Sequence, residues 1–110
     1  MIRRRQDKNQ TAIVKALKQI GCSVLKLSDV GGGCPDLLVG FRYVSVLIEI
    51  KNKENWYGKK EAHYETQKKF RANWRGGLIL TAYNPEQAIL ELQKQFDMID
   101  KEIKKIESKK

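Results

Sequence analysis

The sequence predicts an α/β fold, a mixed four-stranded sheet flanked by helices, with the elements in the order α-β-β-β-α-β-α. Three observations predict it. Apolar residues recur at spacings of three and four in the first and last segments, short apolar runs rich in Val, Leu and Ile lie between, and glycines and prolines fall at the junctions. The chain's 110 residues fit one domain and suffice for one modest core without disulfide or metal staples.

The first helix is expected from about Asp7 to Ile20, where Ile13, Ala16, Leu17 and Ile20 share a stripe and Gly21 ends the run. Ser23 to Leu27 reads as a short strand, and Val30-Gly31-Gly32-Gly33-Cys34-Pro35 as a loop. A second strand spans Asp36 to Gly40. The third, Tyr43 to Lys51, gives the strongest strand signal in the chain. Asn52 to Lys60 is polar and reads as a loop, followed by a helix from about Ala62 to Trp74 that Arg75-Gly76-Gly77 closes. Leu78 to Thr81 is the fourth strand, and Pro85 stands at its favoured first position in a last helix. Residues 1–96 are expected to form the domain and 97–110 a Lys-rich extension of that helix.

The formal net charge of +9 favours a polyanionic partner, nucleic acid above all. Charge sets the class of partner, not the chemistry. Cys22, Cys34 and the single His63 fall short of the about four ligands of a structural zinc site, and reduced thiols in a cytoplasmic protein are the simpler reading. Met1 to Arg5 leads into no apolar signal segment, and no apolar run approaches the ~20 residues of a membrane span.

The third strand carries the chemistry. With side chains alternating faces, Ile48 and Ile50 point one way while Glu49 and Lys51 point the other. Asp36 opens the preceding strand, and the short turn at Phe41-Arg42 makes the two strands neighbours, about 4.8 Å apart. Asp36 then reaches the space before Glu49. Two carboxylates there form a hard oxygen site suited to Mg²⁺, and a lysine beside them can polarise water or stabilise developing negative charge. The triglycine permits close backbone approach. Singly, each of these is an ordinary surface feature; their conjunction in a strongly basic chain carries the expectation.

The segments Gly33-Cys34-Pro35-Asp36-Leu37-Leu38-Val39-Gly40 and Ile48-Glu49-Ile50-Lys51 resemble the signature of the PD-(D/E)XK nuclease superfamily. The likeness is greatest to the virus-type replication-repair nuclease (VRR-Nuc) domain in its short stand-alone phage form, and it covers about residues 6 to 92. It implies a restriction-endonuclease-like fold and hydrolysis of phosphodiesters with Mg²⁺ or Mn²⁺, often on branched DNA, within a prokaryotic cytoplasm. It further implies that Asp36, Glu49 and the carbonyl of Ile50 bind metal, that Lys51 serves the nucleophile, and that Gln67 orients water or contacts DNA. One departure stands out. Many relatives supply a further acid from the first helix, but here the acid is Asp7, over 100° from the apolar stripe at about 100° per residue. Gln6, Asn9 and Gln10 lie near that stripe, and Asn9 or Gln10 is the expected amide substitute.

Among the remaining features, Lys53, Lys59, Lys60, Lys68, Lys69, Arg71 and Arg75 are expected to contact DNA phosphates, with Arg3 to Arg5 as a basic arm. His63 reads as a surface residue rather than a general base. Trp56 and Tyr57 either stack on unpaired bases or pin their loop, and Trp74 is expected in the core. Ile89, Leu92, Phe96, Ile99, Ile103 and Ile106 form a heptad-like seam. Beyond Asp97 it is expected to pair with a second copy, giving a two-fold homodimer. Two other classes of function remain: a non-catalytic nucleic-acid-binding module with the same fold, or an accessory subunit active only beside a partner.

Overall fold

The computed structural model describes residues 5–51 and 61–109. The predicted order holds throughout: α1 Arg5–Gln19, β1 Ser23–Lys26, β2 Leu37–Phe41, β3 Val44–Ile50, α2 Glu61–Asn73, β4 Ile79–Ala82 and α3 Pro85–Ser108. Boundaries shift by one or two residues, as helix ends and strand ends do. Gly21, at φ +99°, ends α1: its N–H donates to the carbonyl of Lys18 at 3.0 Å, and the N–H of Cys22 to that of Leu17 at 3.0 Å. This pair of bonds is the Schellman arrangement, which needs a left-handed residue where glycine stands.

The sheet runs β1-β2-β3-β4, with β1, β2 and β3 antiparallel and β3 parallel to β4. The β2–β3 hairpin turns through Arg42 (φ +49°) and Tyr43 (φ +70°), the doubly positive φ of a two-residue hairpin turn whose twist matches the strands. Leu37 lies opposite Ile48, and Ile48 opposite Leu80, so these three point to one face. That face, with Val39, Val46, Ile50 and Ala82, packs under Ile13, Val14 and Leu17 of α1 and Ala88, Leu92 and Phe96 of α3. Phe41 meets Phe96 edge to face, centroids 5.1 Å apart. Leu38, Leu47, Glu49, Lys51 and Thr81 therefore share the opposite face.

Asn84 caps α3, its side chain accepting from the N–H of Gln87 at 2.7 Å. At 24 residues the helix spans about 36 Å. Burial stops at Phe96, and exposure climbs through Ile99 (36%), Ile103 (47%) and Ile106 (62%). The end of α3 thus projects, and the radius of gyration, 15.5 Å, exceeds the about 13 Å of a compact chain this long. No helix among the described residues is long and apolar enough to cross a membrane.

Trp74 departs from expectation. It is 40% exposed rather than in the core. Its ring stacks on Phe70 at 5.4 Å, and its Nε1–H donates to the carbonyl of Gly77 at 2.8 Å. A side chain on Gly76 would strike the indole. The aromatic thus fills the turn after α2, which puts a large ring to use at a helix end without burying it.

Candidate functional site

The two faces of β3 differ in kind. Ile48 and Ile50 are sealed in the core, whereas Glu49, also buried at 5% exposure, is the buried charged residue among the described ones. A buried carboxylate needs partners to offset lost hydration. They come from β3 itself and from α2: Lys51 Nζ stands 3.9 Å from Glu49 Oε1 and donates to Gln67 Oε1 at 3.0 Å, while Gln67 Nε2 donates to Glu49 Oε1. Acid, lysine and amide close a ring, in which each fixes the rotamer of the next.

Asp36 joins from β2. Continuing the Leu37–Ile48 pairing by one residue sets Asp36 directly opposite Glu49, on the same face. Its Oδ2 accepts from the N–H of Ile50 at 2.7 Å, and its carbonyl accepts from Leu27 at 2.8 Å. Burial, then the charges of Glu49 and Asp36, push the Cys34 thiol above its ordinary value, so both acids bear on one place. The predicted convergence of Asp36 with the Glu49–Lys51 couple is what the strands deliver.

Ile50 adds a backbone oxygen. Leu47 and Lys51 donate their N–H groups to the carbonyls of Leu78, just before β4, and Ala82, at its end, at 3.1 and 2.9 Å, so the polar groups of the even-numbered residues face β2. Two residues along the same register, Pro35 stands opposite Ile50. Proline has no N–H, so the ladder offers no donor to the Ile50 carbonyl from that position.

The glycine loop holds α2 in place. Gly33, at φ +79°, lies so close to α2 that a Cβ built on it would stand 2.4 Å from the carbonyl oxygen of Thr66 and 3.0 Å from the nitrogen of Gln67. Any side chain there would push away the residue that bonds both Glu49 and Lys51. One turn further along α2, Arg71 Nη2 donates to Thr81 Oγ1 at 3.0 Å, and Thr81 pairs with Glu49 across β3 and β4. Asp36, Glu49 and Thr81 thus form a row across the sheet, with Gln67 and Arg71 above it.

The other predicted residues divide. Asn9 does not turn to the acids: its Nδ2 donates to the carbonyl of Tyr83 at 3.0 Å, from the helix layer on the opposite face. A strand-end carbonyl needs a donor, and Asn9 supplies it. Gln10 is half-buried beside it on α1. Lys68, Arg71 and Arg75 are exposed on or just after α2. Lys53, Trp56, Tyr57, Lys59, Lys60 and the side chain of His63 lie outside the described residues. Sequence alone gives Arg71 only a general phosphate-binding role; its Thr81 partner follows from the β3–β4 register.

The donor set fits a small hard cation. Among the described residues no three His, Cys, Asp or Glu side chains gather to form an all-protein cage. Mg²⁺ does not need one, since it is commonly held by one or two carboxylates and keeps its waters. Compared with known proteins, the chain matches no family profile, no curated protein and no solved structure.

Proposed function

We propose that the chain is a divalent-metal-dependent DNA endonuclease that hydrolyses phosphodiester bonds, selective for branched DNA such as junctions or flaps. The observation that carries this reading is the buried Glu49, bonded by Gln67, flanked by Lys51 and faced by Asp36. A purely structural acid on a solvated face would not be buried within a ring of catalytic residue types. The resemblance to the PD-(D/E)XK nucleases rests on the same residues.

Asp36, Glu49 and the Ile50 carbonyl would hold Mg²⁺ or Mn²⁺, which when bound acidifies water and offsets charge on the phosphoryl oxygens. The chain's own residues do the rest. Lys51, held by Gln67, presents its ammonium to the attacking water, which orients the lone pair toward phosphorus and favours the hydroxide form. Water's oxygen bonds to phosphorus and gives up its proton to solvent, the bond to the leaving sugar oxygen breaks, and that oxygen takes up a proton from solvent. Gln67 accepts from Lys51 and donates to Glu49, so it keeps the acid and the lysine in one fixed relation. Exposed Lys68, Arg71 and Arg75 provide phosphate contacts, which read the shape of DNA and carry no base sequence.

The test is incubation of labelled branched and linear DNAs with and without Mn²⁺, using the native chain and the Glu49→Gln and Lys51→Ala variants. Metal-dependent cutting that both variants lose, with DNA binding retained, is the expected result. Binding by the native chain with no cutting under any metal favours the second reading, a non-catalytic nucleic-acid-binding module. That alternative draws on one observation: Asn9, an α1 amide expected to face the acids, bonds the carbonyl of Tyr83 instead.

The exposed seam of α3 supports pairing with a second copy. Ile99, Ile103 and Ile106 continue the spacing of Leu92 and Phe96 past the point where the domain covers them. A two-fold dimer would set two sites on one DNA, suited to paired cuts.

A further inference from the structure

We propose that Arg71, steered by Thr81, forms a subsite for the DNA phosphate next to the one that is cut. The inference rests on the nuclease reading and extends it to a named contact. Gln67 and Arg71 are four residues apart, hence on one face of α2 and about 6 Å along its axis. Gln67 meets the row of site residues at Glu49, and Arg71 meets the same row at Thr81, one strand over. Arg71 therefore sits one strand spacing, about 4.8 Å, to the side of the acids.

Three properties make it a phosphate binder rather than a brace. Its partner is a neutral hydroxyl, so the bond orients the guanidinium without neutralising it. That bond uses one of five N–H donors, and the planar fork matches phosphate oxygens two at a time. Arg71 is also exposed, so an anion can reach it. A cation held in a fixed direction loses less freedom on binding than a loose surface lysine does. The adjacent acids would repel a phosphate on their own, and a fixed cation at their side gives the strand a place to lie.

The test needs no cutting. Flap DNAs, each carrying one neutral methylphosphonate at a successive position, are titrated in EDTA with the native chain, Arg71→Ala and Thr81→Val. The native chain should lose affinity roughly ten- to hundredfold when one particular phosphate is neutralised. Arg71→Ala should bind more weakly overall, with a salt slope smaller by about one, and be indifferent to that position. Thr81→Val should keep the salt slope and lose only part of the preference. With Mn²⁺, the sensitive phosphate should adjoin the cut. A position profile for Arg71→Ala that superimposes on the native one overturns the subsite, as does failure of the native chain to bind any of these DNAs. Absence of cutting alongside a clear difference profile sinks the nuclease reading and leaves Arg71 as a phosphate contact.

Discussion

Replacing Gly33 by alanine should unseat α2 from the acid pair, and its neighbours supply the control. Gly31, Gly32 and Gly33 all have positive φ, at +75°, +64° and +79°. Alanine at any of them should cost about 1–2 kcal/mol for a left-handed backbone. At Gly31 and Gly32 the new methyl would meet nothing within 4 Å, so the cost ends there. At Gly33 it would stand 2.4 Å from the Thr66 carbonyl oxygen, backbone atoms that cannot swing aside. Overpacking of this kind adds about 1–3 kcal/mol, for a total near 2–5. Relief comes most cheaply by moving α2, since its described residues add nothing to the buried core cluster. A domain stabilised by about 5–15 kcal/mol stays folded through this. Its site does not, because a 1 Å misplacement of positioning groups costs about a hundredfold in rate. Urea midpoints and single-turnover cutting should therefore show Gly31→Ala and Gly32→Ala mildly destabilised and active, and Gly33→Ala further destabilised and at least tenfold slower. Three equal variants would refute the docking role given to Gly33.

Two further outcomes follow from other parts of the molecule. A chain ending at Asp97 keeps Ala88, Leu92 and Phe96 and loses the exposed seam, so it should stay folded and elute as a monomer, whereas the full chain should elute as a dimer; unchanged dimer mass would reject the tail as the contact. Burial pushes the Cys22 thiol up, so the native state keeps this proton to higher pH than the unfolded chain does. The stability this lends is present below the ordinary thiol range, about 8.5, and is lost as pH rises through the raised folded value. Urea midpoints of the native chain and Cys22→Ala should accordingly converge as pH climbs from 7 toward about 10, and a gap that holds constant would rule out the linkage.

How much could be read in advance depended on how far apart in sequence the interacting groups lie. Every element was legible, because Ile13-Leu17-Ile20 on α1 and Ile48-Glu49-Ile50-Lys51 on β3 express their periods within a few residues. The Asp36–Glu49 meeting was legible too, since a two-residue turn leaves the hairpin little choice of partner or register. Trp74 was misread. Size and apolarity argue for a core position, but after a helix end followed by two glycines the ring found its partners in Phe70 and the Gly77 carbonyl. Asn9 turned elsewhere for a related reason: its place on the helix gave a direction, while the bond it makes was set by the Tyr83 carbonyl 74 residues away.

The Arg71–Thr81 bond marks the limit of local reading most clearly, and it bears on how the site came to sit where it does. Glu49 and Lys51 share a face by alternation alone, but nothing in β3 states which helix will cover that face. The parallel β3–β4 pairing decides it: strands running the same way need a crossover, and α2 is that crossover. Once α2 lies over the face, residues four apart on it must fall over adjacent strands, and Gln67 and Arg71 are bonded at Glu49 and Thr81. The polar ring over a buried acid is thus a consequence of topology as much as of motif. The bonds of Gln67 and Arg71 and the close approach of Gly33 tie α2 to that face of the sheet, so the site depends on the same topology.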